Sequence, residues 1–195
     1  MMGQVGTPVV AVESGYVEAL GWNQYGGWRL GIRSFDHKRY YYYAHLRKNY
    51  PYQSGLEVGS VVQAGDVIGY LGRTGYSRTE NTNNIDDPHL HFGLELIFDE
   101  SQKDSNNEIW VSCYELVKFL NLNRCEAVKV EGTKEWKRLY GIKDPLVPVQ
   151  PATPSQAGPA AESQAEPLAK SQAGPQTESQ AGPRTDPTAG SQAES

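Results

Sequence analysis

The sequence is poor in several features that mark common protein classes. It has two cysteines, Cys113 and Cys125, in 195 residues. Two are too few for a disulfide framework, so they are expected as free thiols and do not fix a redox compartment. Excess positive charge is also missing. Residues 1–145 carry 16 Lys and Arg against 18 Asp and Glu, and residues 146–195 carry 2 against 5. With no basic surplus in either part, nucleic acid is not an expected partner. Long apolar runs are absent as well: the stretches 58–62 and 67–71 are bounded by glycine or charge. Neither approaches the roughly 20 apolar residues needed to cross a bilayer. No leader reads at the start, where Met1-Met2 runs directly into Gly3-Gln4. Finally, residues 146–195 contain no aromatic residue but hold 8 of the 12 prolines. Such a segment cannot bury enough apolar surface to offset its chain entropy. The chain therefore reads as one domain of about 145 residues followed by a disordered tail.

The tail has its own period. Ser-Gln-Ala begins at Ser155, Ser163, Ser171 and Ser179, always eight residues apart, and recurs at Ser191. An eight-residue unit without an apolar face cannot stack into a solenoid, so a flexible spacer is expected.

Before the tail, Val-rich and alternating segments predict strands over 7–13, 16–22, 28–35, 39–46, 67–71 and 89–98. Four consecutive tyrosines, Tyr40 to Tyr43, favour a strand because aromatics fit a pleated surface. After Asp99 the period changes. Leu116, Val117, Phe119 and Leu120 predict a helix over 112–122, with Ser112 as N-cap and Glu115 completing a capping box. Trp136, Leu139 and Tyr140 suggest a second short helix or a docking segment. The expected fold is mainly β: an antiparallel, Gly-rich core over 1–98, forming a flattened barrel or two sheets. A small helical extension follows over 99–145, then the tail over 146–195.

Three of the four histidines suggest chemistry. On a strand, His89, His91, Gly93 and Glu95 share one face, and Leu90, Phe92, Leu94 and Leu96 take the other, which is the expected core side. Two imidazoles about 7 Å apart on a rigid strand can face one reacting centre. The plain alternative is a polar sheet face. His45 closes the tyrosine strand and would join them on a cleft floor with Tyr41 and Tyr43. Walls are expected from 23–27 and 72–84. His37, between Asp36 and Lys38, reads as a turn residue.

In order along the chain, Gly6-Thr7-Pro8-Val9-Val10-Ala11, Ser14-Gly15-Tyr16-Val17, Tyr43-Ala44-His45-Leu46, Gly65-Asp66-Val67-Ile68-Gly69 with Gly72-Arg73-Thr74-Gly75, and Pro88-His89-Leu90-His91-Phe92 resemble the lysostaphin- and LytM-type zinc metallopeptidases. The resemblance covers about residues 3–96. It implies a core of the duplicated-hybrid-motif type that hydrolyses peptides of bacterial peptidoglycan through a zinc-bound water. It also implies an extracellular or cell-envelope location. His91 would be a zinc ligand, and His45 and His89 would orient or deprotonate the water and stabilise the transition state. The other two ligands would come from an H-x-x-x-D motif placed just before Thr7. Residues 1–6 contain no His, Asp or Glu, and Asp86 and Asp87 lie in a loop at unmatched spacing. Because a catalytic zinc needs three protein ligands, the chain is expected to be inactive as written, as a truncated form of a longer enzyme. The contrasting expectation is a zinc-free relative that binds the cell wall or a partner. A lipoyl- or biotinyl-carrier domain is not expected, since no lysine lies between Lys48 and Lys103.

Overall fold

The β-branched and aromatic segments pair into antiparallel sheets in the computed structural model, which describes residues 1–103 and 105–148. The strands are β1 (Pro8–Val10), β2 (Gly15–Asn23), β3 (Gly27–Ser34), β4 (Arg39–Ala44), β5 (Val61–Val62), β6 (Val67–Tyr70), β7 (His91–Leu96) and β8 (Ile109–Trp110). They are followed by helix α1 (Tyr114–Leu122) and strands β9 (Ala127–Lys129) and β10 (Trp136–Arg138). The main sheet has six strands in the order β5-β2-β3-β4-β7-β8, and β1 pairs with β6 in a separate two-stranded sheet. The core lies between these two sheets. Val17, Leu30, Ile32, Tyr41 and Tyr43 of the main sheet meet Val9 and Ile68 of the smaller one. Phe92 and Leu94 pack against the same cluster, as the alternation in β7 predicts.

Register decides which tyrosines reach the cleft. Tyr41 stands opposite Leu94, and Tyr43 opposite Phe92, so both rings point into the core and are buried. Their hydroxyls find partners there: Tyr41 donates to Glu13, and Tyr43 accepts from the Val12 amide. The expectation that Tyr41 and Tyr43 form the cleft floor is therefore corrected. Tyr40 and Tyr42, opposite Glu95 and Gly93, face the other way. The error came from extending strand alternation through His45, whose backbone turns to φ 62° just after β4 ends. A positive φ breaks the period of two.

The extension departs from expectation in three places. The helix starts at Tyr114, with Cys113 rather than Ser112 at the cap and no side-chain cap bond. The segment carrying Trp136, expected as a short helix or a docking segment, is one strand of the β9–β10 hairpin and docks on the core. The hairpin is tied to the core by hydrogen bonds that the residue spacing does not encode. The Trp136 amide donates to the Tyr70 hydroxyl at 3.2 Å, and Arg138 donates to Gln63 Oε1 at 2.6 Å and to the Ala64 carbonyl at 3.0 Å. Strand β8 was not anticipated. It is two residues long, pairs Trp110 with Glu95 and Ile109 with Leu96, and extends the main sheet beyond β7. Both cysteines are free. The repeat reading concerns residues beyond 148 and lies outside the described ones.

Candidate active site

Three imidazoles gather at one end of the cleft. The His45 and His89 ring centroids are 4.8 Å apart, and those of His45 and His91 are 5.6 Å apart. His91 opens β7, whereas His89 lies just before the strand and is bridged to Met2.

His45 is held most firmly, at 2% exposure. Its amide donates to the Gly26 carbonyl at 2.8 Å, and its Nδ1 lies 2.9 Å from the Thr74 carbonyl. Thr74 joins three parts of the site. Its hydroxyl donates to the Leu46 carbonyl at 2.6 Å and accepts from the Trp28 amide at 3.1 Å. Gly75 follows at φ 123°, and a Cβ there would meet the Tyr25 carbonyl at 2.4 Å and His45 Nδ1 at 3.0 Å. Only glycine lets the chain pass this close to the ring. The two expected walls do meet beside the histidines. The Tyr76 amide donates to the Tyr25 carbonyl, the Ser77 amide donates to that of Gln24, and Tyr76 stacks on His45 at 6.0 Å.

These contacts fix tautomers. His89 Nδ1 lies 2.8 Å from the Asp87 carbonyl, as His45 Nδ1 does from that of Thr74. A carbonyl only accepts, so Nδ1 carries the proton in each ring. In the neutral imidazole, Nε2 is then the bare nitrogen, free to take a proton. The His45 pKa is lowered chiefly by burial, with His89 and His91 adding to the effect against the Thr74 hydrogen bond. Partial loss of water, then the neighbouring His89, lower that of His91. Both shifts favour neutral rings, which can accept protons near pH 7.

The described residues do not present a complete zinc site. Among the described residues, no group of three or more His, Cys, Asp and Glu side chains is placed to hold a metal ion. The Nδ1–carbonyl bonds of His45 and His89 leave Nε2 bare, but Asp86 and Asp87 are exposed on their loop. The set lacks a carboxylate ligand beside His91, so no reaction step is routed through a metal here.

From His91 the cleft extends along the main sheet over about 540 Å³, lined also by Arg29, Tyr40, Tyr42 and Trp110, among others. Sequence reasoning missed Arg29 and Trp110. The available signal was Gly93: in the cleft-facing series it is the position without a side chain, and the Trp110 indole lies over it. Tyr42 stands edge-on to His91 at 5.7 Å and to Trp110 at 6.2 Å. His37, expected as a turn residue, has φ 60° and stacks on Tyr16, away from this cluster.

A glycine-punctuated antiparallel sheet with a histidine cluster at the mouth of a peptide-sized cleft defines a peptidase-type core. The family comparison agrees: residues 1–105 match the model of peptidase family M23, and the chain belongs to that family. It is 40% identical over 89 residues to the L-Ala–D-Glu endopeptidase of Bacillus subtilis (strain 168), a match covering 46% of this chain and 26% of that protein. It is 39% identical over 89 residues to lysostaphin of Staphylococcus simulans, covering 45% of this chain and 15% of that one. The solved structure of a lytM protein from Ruminococcus gnavus ATCC 29149 superposes with a TM-score of 0.50 at 37% identity, covering 60% of this chain and 42% of that chain. The matched segment thus spans about a quarter or less of the length of these two curated relatives.

Proposed function

We propose that this chain carries the peptide-binding and proton-handling part of a bacterial cell-wall endopeptidase. The observation that carries this reading is the cluster of His45, His89 and His91, with bare Nε2 atoms on two of the rings, at the end of an open cleft. Family membership supports hydrolysis of a peptide bond. Cell-wall peptides as substrate are suggested by relatives named L-Ala–D-Glu endopeptidase, lysostaphin and glycyl-glycine endopeptidase. A substrate of that kind lies at or outside the cell envelope, where we place the protein. Among the described residues, no helix is long and apolar enough to cross a membrane.

In this reading a peptide lies along the cleft with its scissile bond beside the histidines. His45, fixed by Thr74, accepts a proton at Nε2 from the attacking water. His89, whose Nδ1 proton stays on the Asp87 carbonyl, takes a second proton at Nε2 and, as the imidazolium, gives it to the departing amine. His91 is the family's metal ligand on this chain. When bound, zinc supplies Lewis acidity and an acidified water. His91 is one of three ligands the resemblance implies, and the described residues do not supply the others. The 195 residues as written are therefore expected to hold zinc poorly and not to hydrolyse peptidoglycan.

The test measures bound zinc and the release of free amines from purified peptidoglycan. It compares the chain as written, a form preceded by a His-x-x-x-Asp segment, and that form with His91→Ala. We expect zinc and cleavage only in the extended form. Tight zinc and cleavage by the chain as written would overturn the incomplete-site reading. An extended, zinc-loaded form that bound wall material without cleaving it would favour a binding module instead.

A further inference from the structure

The cleft floor carries a cation, Arg29, that forms no salt bridge among the described residues. Arg29, on β3, lines the cleft with its guanidinium partly buried. Its Nε is buried without a hydrogen-bond partner. The charges that share the cleft have contacts of their own, including Glu95, which also lines it and is buried. Lys103 pairs with Glu18 and lies over the Tyr40 ring. Glu108 accepts from the Trp110 indole N–H at 2.8 Å. Arg29 also sits close enough to Tyr42 to offset part of the upward shift that burial gives that phenol. Tyr42 in turn touches His91, so Arg29 lies one aromatic ring away from the histidines.

The opposite wall is shaped for a flat partner. The Trp110 indole lies on the backbone of Gly93, where a Cβ would meet its Cζ3 at 2.7 Å. It is held edge-on by Tyr42 and remains 46% exposed. Trp110 belongs to β8, beyond the residues 1–105 that the family match covers. A half-buried guanidinium with unused donors pairs best with a carboxylate, because its fork matches two oxygens and the hydrogen bonds are charge-assisted. An exposed indole face beside it favours an extended peptide backbone or stem.

We propose that Arg29 and Trp110 form a selectivity site for peptides carrying a free carboxylate close to the scissile bond. Arg29 takes the carboxylate, and Trp110 covers the adjoining backbone. This rests on the peptide-cleft reading above, but it concerns binding and needs no hydrolysis.

The test is calorimetric titration of the 195-residue chain with two blocked peptides, acetyl-Ala-Glu-Lys-amide and acetyl-Ala-Gln-Lys-amide, each with L- and D-residues at the second position. We expect the Glu peptide, in at least one stereochemical form, to bind about tenfold more tightly than its Gln counterpart. Arg29→Gln should abolish that preference, Arg29→Lys should retain part of it, and Trp110→Ala should weaken both peptides alike. Comparing the two peptides on the unaltered chain keeps the test independent of any variant's folding. Equal affinity for Glu and Gln peptides, or a preference that survives Arg29→Gln, overturns this proposal alone. Failure to bind either peptide overturns the peptide-cleft reading as well.

Discussion

Thr74 should matter to stability through one hydroxyl. The side chain is fully buried, at 0% exposure, and its Oγ1 links the start of β3 to the residue after His45. It accepts from the Trp28 amide at 3.1 Å and donates to the Leu46 carbonyl at 2.6 Å. Thr74→Val keeps the shape but puts a methyl against both groups. Leaving one buried polar group without a partner costs about 1–3 kcal/mol. With two groups affected and some local relaxation, the loss should be about 3 kcal/mol. In a fold of this size, 1 kcal/mol moves the melting temperature by about 2–4 °C, so a drop of about 6–12 °C is expected. Thr74→Ser keeps the hydroxyl and loses a methyl, which should cost about 1 kcal/mol. Urea unfolding of the three proteins, with a common slope, gives the comparison directly. The variants should also differ at His45. The Thr74 carbonyl survives in both, but the strands it bridges are looser in the valine form, so the His45 pKa should rise back toward 6.5 in an NMR titration. If Thr74→Val were as stable as Thr74→Ser, the hydroxyl would not be the link described here.

Four further outcomes follow. Gly75→Ala forces a Cβ at φ 123° to within 2.4 Å of the Tyr25 carbonyl; it should cost about 3 kcal/mol or more in chemical denaturation, and a cost under about 1 kcal/mol would contradict the packing. Arg33, 5% exposed at its side chain, is paired with Glu18 at 2.6 Å and with Glu100 at 2.9 Å. Removing Glu18 by Glu18→Ala leaves Glu100 as its acidic partner and should destabilise by about 2–3 kcal/mol, whereas Glu100→Ala, at the more exposed carboxylate, should cost under about 1 kcal/mol. Because the folded-state pKa values of His45 and His91 are lowered, the unfolded chain binds more protons as the pH falls. Their contribution is fully present above about 6.5, the unfolded value, and is lost as the pH drops through the folded values. The urea midpoint should therefore fall between about pH 7 and pH 5, and less steeply in His45→Gln; an equally steep fall in that variant would assign the effect elsewhere. Gly93→Ala should displace the Trp110 indole and shift tryptophan emission to the red. Its stability cost should be small, because alanine recovers about 0.5–1 kcal/mol of backbone entropy; unchanged emission would mean the indole does not lie on this glycine.

The strands were legible in the sequence because alternation and β-branched residues declare them locally. Leu30 and Ile32 are buried as their spacing predicts, and Phe92 and Leu94 reach the core. The histidine cluster was legible too, since H-x-H and the strand-closing His45 sit on recognisable segments. The phase of the tyrosine strand was not. Tyr40 to Tyr43 offer the same side chain to both faces, so the sequence contains no contrast from which to read which pair is buried. Only the pairing with β7 settles it. Strand β8 was hidden for a related reason: two residues are too short for a period, and they pair because β7 presents an open edge. The β9–β10 hairpin was legible only as a helix or a docking segment, because Trp136 and Tyr140 are spaced as on a helix, while the bonds that hold the strand come from Tyr70 and Gln63, over sixty residues earlier.

The same division of labour bears on how such a cleft could change its preference. The histidines are fixed by short-range devices: a carbonyl behind each of two rings, a glycine that admits the loop, and a threonine that ties two strand ends together. These leave little freedom, since shifting His45 breaks contacts with Gly26 and Thr74 at once. The far wall is different. Trp110 rests on a glycine backbone through one flat contact, on a two-residue strand at the sheet edge, and Arg29, which lines the same cleft, makes no salt bridge among the described residues. Substitutions at Arg29 or Trp110 therefore change charge and shape in the cleft without disturbing the hydrogen bonds behind the imidazoles. The charge and shape of the far wall are thus mechanically separable from the hydrogen bonds that hold the histidines. Tyr42, which touches both His91 and Trp110, is the side chain through which a change at one end would reach the other.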